Sequence, residues 1–333
     1  MTGRATLAMV LSMAAGSLLA APTAHYKVVD RVAAPDGGYD YLSVDSARQR
    51  LFVAREHSVM AVDLRTKQVT PKLVEAEEAA AVLIIPGTDL MLSTNWASDS
   101  ATLFDRNSGA VKAHIPVGKN PDAAWFEPVS KLVFVMNGGS EDLSVIDIAK
   151  AAVVGKVAVG GKPEAATSDG RGRLYVNIED TATIAVIDVA ARKLVQRHTL
   201  PGCVEPTGIA YDDVSGLLIS ACHNGVAKLI DARTGADRGS VKIGADADGA
   251  IFDSARKLAF IPCADGTLTI FELSAQGKAT VVDVVRTEPG ARTAAFDTTT
   301  GRIYLATTQL RDDGKGEPSP VPGTFHVLVV AQQ

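Results

Sequence analysis

The stretch LYVNIEDTATIAVID, Leu174 to Asp188, carries the reading of the whole chain. An apolar run, Leu174 to Ile178, is followed by a polar turn at Glu179-Asp180-Thr181, and a second run ends on Asp188. The same order of residue types recurs as LFVAREHSVMAVD (51–63), LMLSTNWASDSATLFD (90–105), LVFVMNGGSEDLSVID (132–147), LLISACHNGVAKLID (217–231) and LAFIPCADGTLTIFE (258–272). The closing acids Asp63, Asp105, Asp147, Asp188, Asp231 and Glu272 lie 41 to 43 residues apart. A fixed period of that length marks a repeat array. Each period holds four strand-like segments, as in TGIAYD (207–212), LLISAC (217–222), VAKLID (226–231) and RGSVKIG (238–244). Short alternating strands joined by Gly, Asp and Asn turns predict antiparallel meanders, and helical spacing is sustained nowhere. Four-stranded units that cannot bury both faces alone pack radially, so the pattern predicts an all-β propeller.

The ends of the first strands, Asp45, Ile85, Glu127, Asp169, Asp212, Asp253 and Asp297, count seven blades. Their approximate bounds are 37–75, 76–118, 119–160, 161–203, 204–244, 245–287 and 288–330. Blade 7 reaches only its third strand at FHVLVV (325–330), one short. The unassigned strand YKVVDRV (26–32) fits that gap and would close the ring, removing open edges that would otherwise aggregate. LYVNIEDTATIAVID, with the preceding Gly160-Gly161-Lys162-Pro163 and Asp169, resembles the YVTN-type β-propeller repeat of secreted YncE-like proteins. The resemblance covers residues 26–330 and differs from WD40 repeats, whose Gly-His and Trp-Asp signature is missing. It implies a seven-bladed propeller outside the cytoplasm and carries over no catalytic residue, because fold does not set function.

Residues 1–21 read as a secretory signal peptide: Arg4, an apolar run from Leu7 to Ala21, then Pro22. The run is too short for a stable bilayer anchor, so the mature chain, 22–333, is expected to be a single periplasmic or secreted domain without a membrane anchor. Apolar residues make up 47 % and charged ones 21 % of the chain, enough for a continuous core. A net charge of −5 speaks against nucleic acid as a partner. A closed ring has no need of a second copy, and a monomer is expected.

In a four-stranded blade the turns between blades and the turns between second and third strands share one face. The residue after the proline column (Pro121, Pro163, Pro206) reads Asp40, Ala80, Asp122, Glu164, Thr207, Asp248 and Arg292 around the ring. The end of the second strand reads Glu56, Asn95, Asn137, Glu179, Cys222, Cys263 and Thr308, with His57 and His223 following directly in two of those turns and Trp96 in another. The candidate ligand-binding set at the channel mouth is therefore Asp40, Asp122, Glu164, Asp248, Arg292, Glu179, Asn137, Asn95, Trp96 and His223. Oxygen-rich sets of this kind suit a divalent cation such as Ca²⁺ or Mg²⁺, a metal-bound ligand or a basic partner group. The same acids could instead bond backbone amides or face water, and Arg292 could simply pair with a neighbouring carboxylate.

Of the three cysteines, Cys222 and Cys263 occupy equivalent places in adjacent blades, too far apart for a bridge. Cys203, in the loop entering blade 5, can swing over Cys222, so a Cys203–Cys222 disulfide is expected with Cys263 free; a Cys222–His223–Cys263 copper or zinc site is the alternative. His114, His198 and His326 fall on outer or third strands, where surface or satisfied histidines are the rule. Trp125 reads as core between blades and Trp96 as the better ligand contact. An insertion in blade 7, TQLRDDGKGEPSPVPG, lies on the favoured face and could cover the mouth, dock a partner or be a plain surface extension. No GxSxG, HExxH or P-loop occurs, and no CxxCH for covalent haem. The favoured function is a non-catalytic exported binding or interaction scaffold, for a small ligand or a protein partner. The alternatives are a metal-dependent hydrolase or lyase of the lactonase sort and a carrier or assembly factor for a redox cofactor.

Overall fold

The computed structural model describes residues 25–311 and 319–333. The signal segment expected over 1–21 lies outside the described residues, as does the centre of the blade 7 insertion, 312–318. The chain forms seven four-stranded antiparallel sheets, six of them meanders in chain order and the seventh assembled from both ends of the chain. Blade 7 runs outward from Ala294–Phe296 through Ile303–Thr307 and His326–Gln332 to Tyr26–Ala33. Tyr26 pairs with Gln332 and Ala33 with His326. The N-terminal strand thus fills the vacant outer place, with Asp36 accepting the amides of Gly323 and Phe325 as a further tie. A short hairpin, Leu310–Arg311 against Ser319–Pro320, forms the base of the insertion.

Seven hydrophobic clusters account for seven blade interfaces. One joins Phe52, Ala54, Val59 and Val74 of blade 1 to Ala79, Val82, Met91 and Phe104 of blade 2; the cluster of Val32, Leu51, Val53, Tyr304, Phe325 and Val327 joins blade 7 to blade 1. Both faces of the middle strands are covered by neighbouring blades, so Leu174 to Ile178 is buried at every position and alternation fades there. Outer strands are more exposed, as in Val69–Glu75, where Val74 alone is buried.

The repeated closing aspartates are turn residues. Oδ1 of Asp63 accepts the amides of Arg65 and Thr66, and Asp105, Asp147, Asp188 and Asp231 do the same for their own turns. These amide bonds help hold all five carboxyls below the ordinary range. Asp45, Glu127, Asp212, Asp253 and Asp297 cap the opposite turns, where they are buried. The period that reveals the fold therefore records turn chemistry and not a site.

Cys203 and Cys222 are disulfide-bonded across a Cα–Cα distance of 5.5 Å, and Cys263 is free and buried. Burial pushes the Cys263 thiol up to about 12, leaving it inert at neutral pH. With its sulfur in the bridge, Cys222 supplies no thiolate, which removes the Cys222–His223–Cys263 metal alternative.

Two outcomes follow. Deleting residues 25–33 leaves the edge of His326–Gln332 unpaired, so the truncated protein should self-associate on size exclusion and melt at least ~10 °C lower; an unchanged melting curve would show that the ring stands without its latch. Cys203→Ser, opening a bridge of sequence separation 19, should lower the unfolding free energy by ~3 kcal/mol in urea titration.

Candidate functional site

The inner strands deliver their side chains to the channel through one recurring irregularity. In blades 1 to 5 the pairing of first and second strands slips between Tyr39 and Leu42, Ala79 and Val82, Pro121 and Ala124, Pro163 and Ala166, and Pro206 and Ile209. Each slip is a bulge, and the first bulged residue is Asp40, Ala80, Asp122, Glu164 or Thr207. Bulges re-aim side chains at sheet rims, and here they turn one residue per blade toward the axis. Blades 6 and 7 have inner strands of only three residues, Ile251–Asp253 and Ala294–Phe296, so Asp248 and Arg292 arrive on the segments ahead of them.

Hydroxyl and amide groups of neighbouring blades fasten these positions. Thr94 Oγ1 donates to the carbonyl of Asp122 (2.5 Å), Thr293 Oγ1 to that of Asp40 (3.0 Å) and Thr207 Oγ1 to that of Ala247, next to Asp248 (2.6 Å). Asn177 Nδ2 donates to the carbonyls of Thr207 and Gly208. Gly208 is required by close approach: a Cβ there would lie 2.3 Å from the Gly249 carbonyl carbon.

Asp40, Asp122, Glu164, Glu179, His223, Asp248 and Arg292 meet around one cavity of about 190 Å³, joined by Tyr41, Lys162 and Thr207. Trp96, about half exposed (47 %), lines an adjoining hollow of about 370 Å³ that shares Asp40 and Asp122 and opens over Ala80, the one small residue of the inner column. Two predicted members are elsewhere. Asn95 Nδ2 donates to Ser100 and Thr102 inside blade 2, and Asn137 Nδ2 to Asp142 and Ser144 inside blade 3. Both are buried, because a residue that still pairs with the third strand points into the blade and not over its rim. Trp125 is half-buried against the blade 3–4 core, with its Nε1 buried and without a partner.

Residue-type counting missed Lys162 and Tyr41. Lys162 Nζ lies 2.8 Å from Glu164 and bonds Glu179. Burial, the charge of Asp122 and a hydrogen bond to Glu179 push Glu164 up to about 10, so it is a neutral acid at pH 7. Burial alone would raise Glu179, but hydrogen bonds from Glu164 and Lys162 outweigh it and hold Glu179 ionised. Across the cavity Arg292 Nε lies 2.9 Å from Asp248, yet burial still pushes Asp248 up to about 6. Asp40 is driven well above its usual range by burial and then by Asp122 and Asp248, and burial raises Asp122 as well. The Tyr41 hydroxyl is buried without a partner, although the residue lines the cavity and packs on the blade 3–4 core. Its place was signalled only by following Asp40 in the bulge. His223 Nδ1 lies 2.9 Å from Glu205, on the loop that Cys203 tethers to Cys222.

Five carboxylate residues from four blades thus face two permanent cations, Lys162 and Arg292. Among the described residues no group of three or more His, Cys, Asp or Glu side chains is set close enough to hold a metal ion. The arrangement offers spread hydrogen-bond acceptors and more carboxyl groups than cations, with the buried Tyr41 phenol in its lining.

No family model matches the sequence, and no curated protein compared with it does either. Among solved structures the chain is similar to a Kuenenia stuttgartiensis hydrazine synthase chain, with a TM-score of 0.71 and 17 % identity over 87 % of this chain and 97 % of that one. At that identity the likeness establishes the propeller fold alone.

Raised carboxyls mean that the folded state holds extra protons above pH ~4, so stability should fall as pH rises from there through about 6, where Asp248 ionises. Glu164, which keeps its proton to about 10, extends the decline beyond that window. Asp40→Asn removes a poorly compensated charge and should raise the melting temperature at pH 7.5 by ~2–4 °C; a lower melting temperature would show that Asp40 is structurally paired.

Proposed function

We propose that this chain is an exported, non-catalytic binding scaffold of the YVTN-type propeller family that holds a cationic group of a ligand or partner at its channel mouth. The propeller fold is compatible with a binding scaffold, and the repeat pattern around Leu174–Asp188 supports the family. Export draws support from the leader-like residues 1–21 and from the Cys203–Cys222 bridge, since disulfides persist in oxidising compartments.

One observation carries the binding reading. Asp40, Asp122 and Asp248 come from three separate blades and converge where their charges repel, with Arg292 the only cation in ion-pair contact with one of them among the described residues. Holding buried like charges together costs stability, and folds keep such strain where a ligand relieves it. An incoming ammonium would replace the missing counter-charge and lower all three carboxyls at once.

The test is a calorimetric titration of the mature protein with n-butylammonium and with butyrate at pH 5 and pH 7.5. The cation should bind and the anion should not. Cation affinity should rise with pH as Asp248, near 6, ionises. Asp122→Asn should weaken binding ~tenfold, a loss of ~1.4 kcal/mol. Equal response to both ions, or affinity indifferent to pH and to Asp122→Asn, would overturn the assignment.

A further inference from the structure

Equivalent positions on the outer strands of blades 2, 3 and 4 carry different side chains: His114, Lys156 and Arg197. On the outer strand of blade 4, Lys193–Thr199, Arg197 faces Ala185 and reaches across to blade 3. Its guanidinium donates to the carbonyls of Val159 and Gly160 (3.1 Å to the latter) and to Thr183 Oγ1 at 3.3 Å. That side chain fills the outer seam between blades 3 and 4. At the next seam back, Lys156 occupies the same register opposite Ser144 and lies 3.6 Å from Asp142.

Between blades 1 and 2 the acceptor positions recur without the cation, although Ser100 Oγ also receives Asn95 Nδ2 at 3.0 Å and the Glu77 carbonyl the Ala97 amide at 3.4 Å. Ser100 stands where Thr183 does: each follows a left-handed residue, Asp99 or Ala182, and each bonds the hydroxyl two residues earlier, at 3.0 Å from Ser98 and 2.9 Å from Thr181. Ala76 corresponds to Val159, its amide bonded to the His57 carbonyl as that of Val159 is to Glu141. His114 takes the place of Arg197, opposite Thr102. Its shorter ring turns back to Thr102 Oγ1 at 3.1 Å. What remains is a cleft of about 710 Å³ lined by Glu75, Ala76, Glu77, Asn95, Ser100 and His114 among others. Lys72 also borders it but is held 2.5 Å from Glu75.

We propose that the cleft between blades 1 and 2 is a guanidinium-binding site, serving either a small guanidinium compound or an arginine side chain of a polypeptide partner. The molecule supplies its own template, since a guanidinium already satisfies the equivalent acceptors at the seam between blades 3 and 4. Backbone carbonyls and a hydroxyl spread across a seam match a planar fork better than a point-charge ammonium. Glu77 at the lip, where blade 3 has glycine in the corresponding turn, adds the countercharge. This site shares no lining residue with the channel mouth, so the two readings stand or fall separately.

The experiment titrates the mature protein with methylguanidinium, methylammonium and the peptide Gly-Arg-Gly, following amide chemical shifts of residues 75–77 and 98–102. Saturable shifts with methylguanidinium and the peptide, at least ~tenfold stronger than with methylammonium, are expected. They should persist in Asp122→Asn and vanish in His114→Arg, whose own side chain would occupy the cleft. Tighter binding of the peptide assigns a polypeptide arginine; equal affinities assign a small guanidinium. Arg197→Ala should open a like cleft at blades 3 and 4, and methylguanidinium should then recover part of its lost melting temperature. Absence of binding, undiminished binding in His114→Arg, or no recovery in Arg197→Ala would overturn the proposal.

Discussion

The antiparallel pairing of Tyr26–Ala33 with His326–Gln332 is the constraint on which the ring depends. A propeller blade has no second sheet of its own to cover it; its two faces are closed by the blades on either side. Opening any one interface exposes two apolar faces at once, such as those of Tyr304 and Phe325 against Leu51 and Val53. Most of this burial is nearest-neighbour packing, so closure converts a chain of marginal units into one cooperative body. The site depends on it too. Asp40 lies just after the latch, and its carbonyl is held by Thr293 from blade 7.

With the ring closed, the channel mouth is a compromise between backbone order and side-chain repulsion. Threonine and asparagine groups from one blade fix the carbonyls beside the site residues of the next. That rigidity keeps Asp40, Asp122 and Asp248 from moving out to water, so their burial, with repulsion from neighbouring carboxylates added, appears as raised carboxyls and not as movement. On one side Lys162 gathers Glu164 and Glu179 into a proton-sharing pair; on the other Arg292 meets Asp248. The mouth is therefore polarised, with uncompensated charge concentrated between these two anchored groups.

Near-repetition makes departures from the pattern informative. Where one blade carries Arg197 and another His114 in the same register, the difference is a cavity. Where six inner positions carry polar or charged side chains and the seventh is Ala80, the difference is the hollow beside Trp96. Such gaps do not arise from packing demand, since the rest of the array shows which side chains would fill them.

Much of this is legible in the amino-acid order by itself. The 41–43-residue period, the turn aspartates, the missing fourth strand of blade 7 and the inner column of Asp40, Asp122, Glu164, Asp248 and Arg292 all follow from local pattern. Turn chemistry and strand length are local properties, and a repeat copies them faithfully. Depth and orientation are different. Asn95 and Asn137 stand in the same column as Glu179, yet they bond within their own blades while Glu179 reaches Lys162 across the rim. Counted back from the closing acids, Asn95 and Asn137 stand ten residues before Asp105 and Asp147 and still pair with the third strand, whereas Glu179 stands nine before Asp188 and projects one place beyond the last pair, Ile178 with Thr183. Tyr41 joined the site because the bulge in blade 1 sets it against the blade 3–4 core, which only the closed ring makes its neighbour; Lys162 joined it through its own blade, where the turn ahead of Pro163 sets it against Glu164 and Glu179.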